Sequence, residues 1–242
     1  MSAHAPQPAV FLCHGAGGDG GSCAALARAL EAQAGVTAHA LSYPGRADVP
    51  GPARGSVTEL AAFIRERVAA ALGSLDAPHV VLGHSMGGAV ALEYALHAPP
   101  GLRALALVAT GARLRVHPSI LAALSPSGDT ASPAPAGEAF ARSIEAAALT
   151  PRATALADWQ AANAFDRMAE VHQIRTPTII LVGDADLLTP LKYARFLHEH
   201  IAGSQLVVLP GAGHSLPTEH TAQVTEHVAA FLRGVARPEA LS

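Results

Sequence analysis

Residues 80–96 read Val80-Val81-Leu82-Gly83-His84-Ser85-Met86-Gly87-Gly88-Ala89-Val90-Ala91-Leu92-Glu93-Tyr94-Ala95-Leu96. The opening apolar run ends at a glycine, as a short strand buried on both faces would. The closing run from Ala89 is rich in helix formers and is stopped by Pro99-Pro100. Between them stands Ser85, with glycines two positions before and two after it. A strand that turns into a helix this abruptly crowds its own backbone, so those flanking positions must lack a side chain. The stretch is therefore a strand, a sharp turn and a helix, with Ser85 held out at the turn in a G-x-S-x-G pattern. A merely flexible glycine-rich loop would lack the strand on one side and the helix on the other.

Outward from this turn, apolar runs and amphipathic stretches alternate. Strands are predicted over 10–14, 37–43, 80–83, 105–109, 178–182 and 205–209. Helices are predicted over 22–34, 56–72, from Ser85 to His97, over 190–201 and over 218–232. The helix at 56–72 opens on a Ser-x-x-Glu capping box, Ser56 and Glu59, and carries Leu60, Ile64 and Val68 at helical spacing. Strands that alternate with helices of ten or more residues imply an α/β fold, a mostly parallel sheet with helices on both faces. The alternation breaks between Gly111 and Gln173, an interval holding Pro118, Pro126, Pro133, Pro135 and Pro151 and a helical piece at 137–148. An insertion of that length in a compact domain is usually functional. The expectation is a core of residues 1–112 and 174–242, with residues 113–173 forming a cap.

Composition narrows the classes. A chain of 242 residues buries a full core without staples, and 50% apolar with 14% charged residues argues against disorder. Aromatics are 4% and the net charge is -3, with no Lys/Arg run, so no nucleic-acid partner is expected. Cys13 and Cys23 have no ligand-like spacing and read as reduced, packed thiols. The start, MSAHAPQPAV, lacks a basic region followed by an apolar run, and no stretch reaches the roughly 18 apolar residues of a membrane span. The expected location is the cytoplasm. His198, His200, His220 and His227 have no carboxylate at a recognised spacing and read as solvated, so no metal is expected. Arg113 and Arg115 read as solvated loop residues, with a contact to an acidic substrate as the alternative.

A serine hydroxyl is a weak nucleophile and needs a positioned base. With 13 histidines in the chain, position must decide. His214, in Gly211-Ala212-Gly213-His214, follows a strand and precedes the last helix, which puts it at the same sheet edge as Ser85. His84 adjoins Ser85, but neighbours on a tight turn point apart. The imidazole needs an acid to fix its tautomer. Asp184 and Asp186 follow strand 178–182. Asp186 is preferred, because Asp184 lies closer to the strand end and could cap the turn. No acid stands in Ala109-Thr110-Gly111, the main alternative location. Acyl transfer also needs donors for a developing oxyanion. The loop His14-Gly15-Ala16-Gly17-Gly18 can offer the N–H of Ala16, with Gly17 as the alternative, and the second donor would be the N–H of Met86. The same loop has no GxxxxGK followed by Ser or Thr, nor a clean GxGxxG, so a phosphate-binding reading finds no support.

Through FLCHGAGG, GHSMGG, LVGDADLLTP and GAGHSLPTEH, in that order, the chain resembles the α/β-hydrolase superfamily, especially its small bacterial esterase-like members. The resemblance implies a serine hydrolase with Ser85 as nucleophile, His214 as base and Asp186 as acid, with Ala16 and Met86 as oxyanion donors. It implies a helical cap at 113–173, with residues 159–168 returning into the core. The expected reaction is hydrolysis of a small-molecule carboxylic ester or thioester through an acyl-enzyme, with no cofactor. Carbon–carbon bond hydrolases and cofactor-free lyases share the framework and stay open, as does a non-catalytic binding protein. Two departures touch the pocket. Where many members carry D-x-P-G-x-G, this chain has Ser42-Tyr43-Pro44-Gly45-Arg46-Ala47-Asp48, and the often bulky residue after the His-Gly pair is Ala16.

Overall fold

The alternating apolar runs become a single sheet. The computed structural model describes residues 8–125 and 150–235. The strands are β1 (Ala9–Cys13), β2 (Ala38–Leu41), β3 (His79–His84), β4 (Leu102–Val108), β5 (Thr178–Gly183) and β6 (Gln205–Leu209). They form a six-stranded sheet in the order β2-β1-β3-β4-β5-β6, with every neighbouring pair parallel. The interior strands are mostly apolar because helices cover both faces, with Arg103 of β4 the exposed exception. The helices are α1 (Gly21–Ala34), α2 (Val57–Leu72), α3 (Met86–Leu96), α4 (Pro118–Leu124), α5 (Arg152–Ala164), α6 (Leu191–His200), α7 (Leu216–Glu219) and α8 (Thr221–Val235). The predicted helical piece at 137–148, with Pro126, Pro133 and Pro135, lies outside the described residues. Among the described residues no helix is long and apolar enough to cross a membrane.

Side-chain alternation divides the core. Val10, Leu12, Val80, Leu82, Ile179 and Leu181 face Leu26 and Leu30 of α1 and Val224 and Val228 of α8. Phe11, Val81, Leu105, Leu107, Ile180 and Val182 face Leu60, Ile64 and Val68 of α2, the body of α3 and Leu197 of α6. Each fully buried Leu, Ile or Val contributes about 1.5–3 kcal/mol. α4 and α5 pack on each other through Ile120, Leu124, Ala155 and Trp159. The far end of α5 then sends Ala161, Ala162 and Phe165 into the cluster beneath α3.

Several boundaries move for local reasons. β4 starts at Leu102 rather than 105, because the solvent-facing Arg103 interrupts an otherwise buried run. β2 stops at Leu41, since Ser42 turns to accept the Gly20 N–H at 2.8 Å. The expected helix over 218–232 is two elements: α7 closes one turn behind Pro217, and the chain breaks at His220, φ -126°, before α8. Ser56 caps α2 by accepting the Glu59 N–H at 3.2 Å, but Glu59 reaches back to the N–H of Gly55 at 2.8 Å instead of that of Ser56.

α3 has no polar face. Every residue from Met86 to Ala95 is buried, and one of them is Glu93. Its carboxylate accepts from Arg167 Nε at 2.7 Å and from the Thr58 hydroxyl at 2.8 Å. Burial raises the Glu93 pKa, but the hydrogen bonds from Arg167 and Thr58 outweigh it and hold the carboxyl below its ordinary 4.5. A depressed carboxyl pKa stabilises the fold above the unfolded value, and that stability is lost as pH falls through the folded value. Glu93→Gln should therefore cost about 2 kcal/mol near neutral pH. The gap between parent and variant in urea unfolding should close as pH drops below 4.5. A gap that stays constant with pH would show that the charge on Glu93 plays no part.

Candidate active site

The turn between β3 and α3 holds Ser85 at φ 54° and ψ -120°, a strained conformation for a residue with a side chain. The packing around it allows no alternative. A Cβ at Gly83 would collide with the carbonyl of Gly87, and one at Gly87 would collide with the carbonyl of Cys13 in β1. Hydrogen bonds complete the clamp. The Ser85 N–H donates to the Val108 carbonyl at 3.0 Å, and its carbonyl accepts from the Thr110 hydroxyl at 2.8 Å.

The loops after β5 and β6 bring the other sequence-selected residues to this turn. The Ser85 Oγ lies 3.0 Å from His214 Nε2, and His214 Nδ1 lies 2.9 Å from Asp186 Oδ2. Asp186 is itself fixed: its Oδ1 accepts the N–H groups of Leu188 at 2.8 Å and Thr189 at 2.9 Å. Its Oδ2 accepts the Thr189 hydroxyl at 2.7 Å. Burial raises the Asp186 pKa, but the hydrogen bond and charge of His214, with the Thr189 bonds, hold it below the usual range. Asp184 points elsewhere and caps the next loop by accepting the Gly211 N–H at 2.7 Å. His84 has its Nε2 3.0 Å from the His214 carbonyl. Burial lowers its pKa to about 3, so the ring is neutral and donates to that carbonyl.

The glycine loop after β1 lies on the other side of Ser85. Ala16 and Met86 both border the space in front of the serine. Met86 opens α3, so its N–H has no acceptor within the helix. The N–H of Gly17 is occupied, donating to Asp158 Oδ2 at 2.9 Å. The open space has two arms that share Ala16, Ser85 and Trp159. The larger, about 150 Å³, runs past His84, His214 and Ser215. The smaller, about 30 Å³, is walled by Leu114, Val116, Ile120 and Ala162, with Arg115 and His117 also on its lining. Arg113 and Arg115 flank Asp166 at 3.7 and 3.8 Å, and both are roughly half exposed at 44% and 51%.

The sequence profile of the Alpha/beta hydrolase family matches residues 10–227. The chain belongs to that family. A Klebsiella pneumoniae protein, named provisionally as the carbamate hydrolase RutD, is 31% identical over 86% of this chain and 85% of its own length. A pimeloyl-(acyl-carrier protein) methyl ester esterase of Neisseria meningitidis is 30% identical over 93% of this chain and 94% of its own. Among solved structures, a thermophilic esterase is 30% identical, with a TM-score of 0.73 over 93% of this chain and 90% of that one. The enol-lactonase of Burkholderia xenovorans LB400, at 22% identity and a TM-score of 0.78, covers 96% of this chain and 94% of its own and shares the fold.

Four residues of this hydrolase's site were not selected from its sequence. His84 holds the His214 loop, Thr189 holds Asp186, and Arg46 and Asp158 form a buried pair beside the glycine loop. Only the last two left a signal: charges set into otherwise apolar or turn-forming stretches. Asp184 and Gly87 give a paired test. Asp184→Ala should cost about 1 kcal/mol in thermal unfolding and leave the fluorophosphonate labelling rate of Ser85 unchanged. Gly87→Ala, which forces a Cβ into the Cys13 carbonyl, should cost at least about 3 kcal/mol. Loss of labelling in Asp184→Ala would show that the wrong aspartate has been assigned.

Proposed function

We propose that this hydrolase cleaves a small carboxylic ester or thioester through an acyl-enzyme formed on Ser85. The observation that carries the reading is the unbroken relay from Ser85 Oγ through both nitrogens of His214 to Asp186, with steps of 3.0 and 2.9 Å. His214 Nε2 takes the hydroxyl proton as Ser85 attacks the carbonyl carbon. Asp186 fixes the tautomer and stabilises the imidazolium that forms. The N–H groups of Ala16 and Met86 receive the oxyanion, a contribution that typically amounts to 10²–10³ in kcat, roughly, per donor. The protonated His214 then gives its proton to the leaving alcohol or thiol. It next removes one from the water that releases the acid.

In this reading α4 and α5, the described α-helices of the 113–173 interval, act as a cap over the smaller arm. That arm takes an alkyl or acyl group of modest size, and the larger arm past His214 takes the leaving group. The esterase names borne by the Neisseria relative and the thermophilic structure support a carboxylic ester as substrate. Cys13 and Cys23 are free and buried, and this reading places the protein in the cytoplasm, where thiols stay reduced.

Turnover of p-nitrophenyl esters of increasing acyl length tests the reading. Ser85→Ala should lower kcat/KM by at least about a thousandfold, and Asp186→Asn by a similar factor with folding intact. Short and medium chains should be favoured. A parent protein that neither turns over esters nor is labelled by a fluorophosphonate would sink the serine-hydrolase reading. Labelling without turnover would instead favour cleavage of a carbon–carbon bond on the same residues.

A further inference from the structure

Arg46 and Asp158 are charged side chains only 3% and 2% exposed, one from the turn after β2 and the other from the middle of α5. A buried ion pair is a poor way to stabilise a fold, because desolvation offsets most of the attraction. The contacts of this pair converge instead on one short loop. Arg46 Nη2 donates to Asp158 Oδ2, and Arg46 Nε donates to the Gly18 carbonyl at 2.6 Å. The same Asp158 oxygen accepts the Gly17 N–H at 2.9 Å. Two residues before α5, Thr150 donates to the Gly17 carbonyl at 2.8 Å. One turn before Asp158, Thr154 donates to the carbonyl of Gly45, beside Arg46, at 3.0 Å. Gly18 closes the loop by donating to the Gly15 carbonyl at 3.2 Å.

We infer that Arg46 and Asp158 are positioning residues that lock the Gly15–Gly18 loop with the Ala16 N–H turned toward the oxyanion, tying the cap helix α5 to the catalytic step. The inference rests on the acyl-transfer reading above. Gly17 sits at φ 74°, where several peptide orientations are open to a glycine. The Asp158 carboxylate selects one of them by drawing the Gly17 N–H away from Ser85. With both polar groups of Gly17 and of Gly18 engaged, the substrate donor on this inference is Ala16, which borders both arms beside Ser85. Burial pushes the Asp158 carboxyl upward against the opposing pull of Arg46. The Gly17 N–H adds to that downward pull on the same carboxylate. Arg46 stands in the turn that departs from the family's D-x-P-G-x-G pattern, and Trp159, next to Asp158, lines both arms of the pocket.

The chain's single tryptophan, Trp159, supplies the probe. Kinetics on a p-nitrophenyl ester and the affinity of an alkylboronic acid, which mimics the tetrahedral intermediate, are measured together, the latter by tryptophan fluorescence. The variants are Asp158→Asn, Arg46→Met, Arg46→Lys and Ser85→Ala, each normalised to folded protein by circular dichroism. A mispositioned donor costs roughly tenfold to a hundredfold. Asp158→Asn and Arg46→Met should therefore lower kcat and boronate affinity by that factor, with KM changed less than about threefold. Arg46→Lys should recover part of the loss. Variants that melt at lower temperature but keep the parent kcat and boronate affinity would overturn the inference and make the pair purely structural. If Asp158→Asn does not fold, the Arg46→Met and Arg46→Lys comparison decides the matter alone. Turnover or boronate binding that survives in Ser85→Ala would instead overturn the acyl-enzyme reading beneath it, and this inference with it.

Discussion

Ser85 is held at φ 54° and ψ -120°, a backbone state that costs on the order of 1–3 kcal/mol for a non-glycine residue. It persists because β3 and α3, which meet at this residue, are buried along their lengths and cannot relax. The glycines at 83 and 87 are the condition for that burial, since each fills a gap bounded by another residue's carbonyl. The rest of the site is arranged around this fixed point. In a parallel sheet every strand delivers its following loop to the same edge. The loops after β1, β3, β5 and β6 thus converge on Ser85 with no special device.

That regularity is why so much could be read from residue order. Continuous apolar runs mark strands covered on both faces, and the turns and loops that follow β3, β5 and β6 carry Ser85, Asp186 and His214, which meet within hydrogen-bonding distance. The expectation that Asp184, nearer the strand end, caps its own loop matches its bond from the Gly211 N–H, while Asp186 lies beside His214. Less regular features were not legible. The break at His220 and the shift of Glu59 onto Gly55 depend on how a turn closes in three dimensions. No local pattern encodes that closure.

Polar groups paired across long separations were hidden more thoroughly. Glu93 lies on a helix whose every neighbour is buried, and its partner Arg167 is 74 positions away. Arg46 and Asp158 are separated by 112 positions, and neither stretch around them advertises the other. A charge in the middle of a largely apolar helix, such as Asp158 in Arg152–Ala164, reads as solvent-facing until a partner is known. Buried charges must be paired, so such residues become informative only once the fold shows what faces them.

The distribution of the site along the chain also bears on how the protein is made. Ser85 and His214 are 129 residues apart, and the histidine arrives on the loop after the last strand of the sheet. Contacts this distant in sequence are among the slowest to form, because their loop-closure entropy must be overcome before they contribute. β1 to β4 precede His214 in the chain, so the partner of the Ser85 hydroxyl is supplied only once the loop after β6 is in place. On the proposed acyl-transfer reading, the order of strands along the chain leaves the pairing of Ser85 with its base to the last stage of folding.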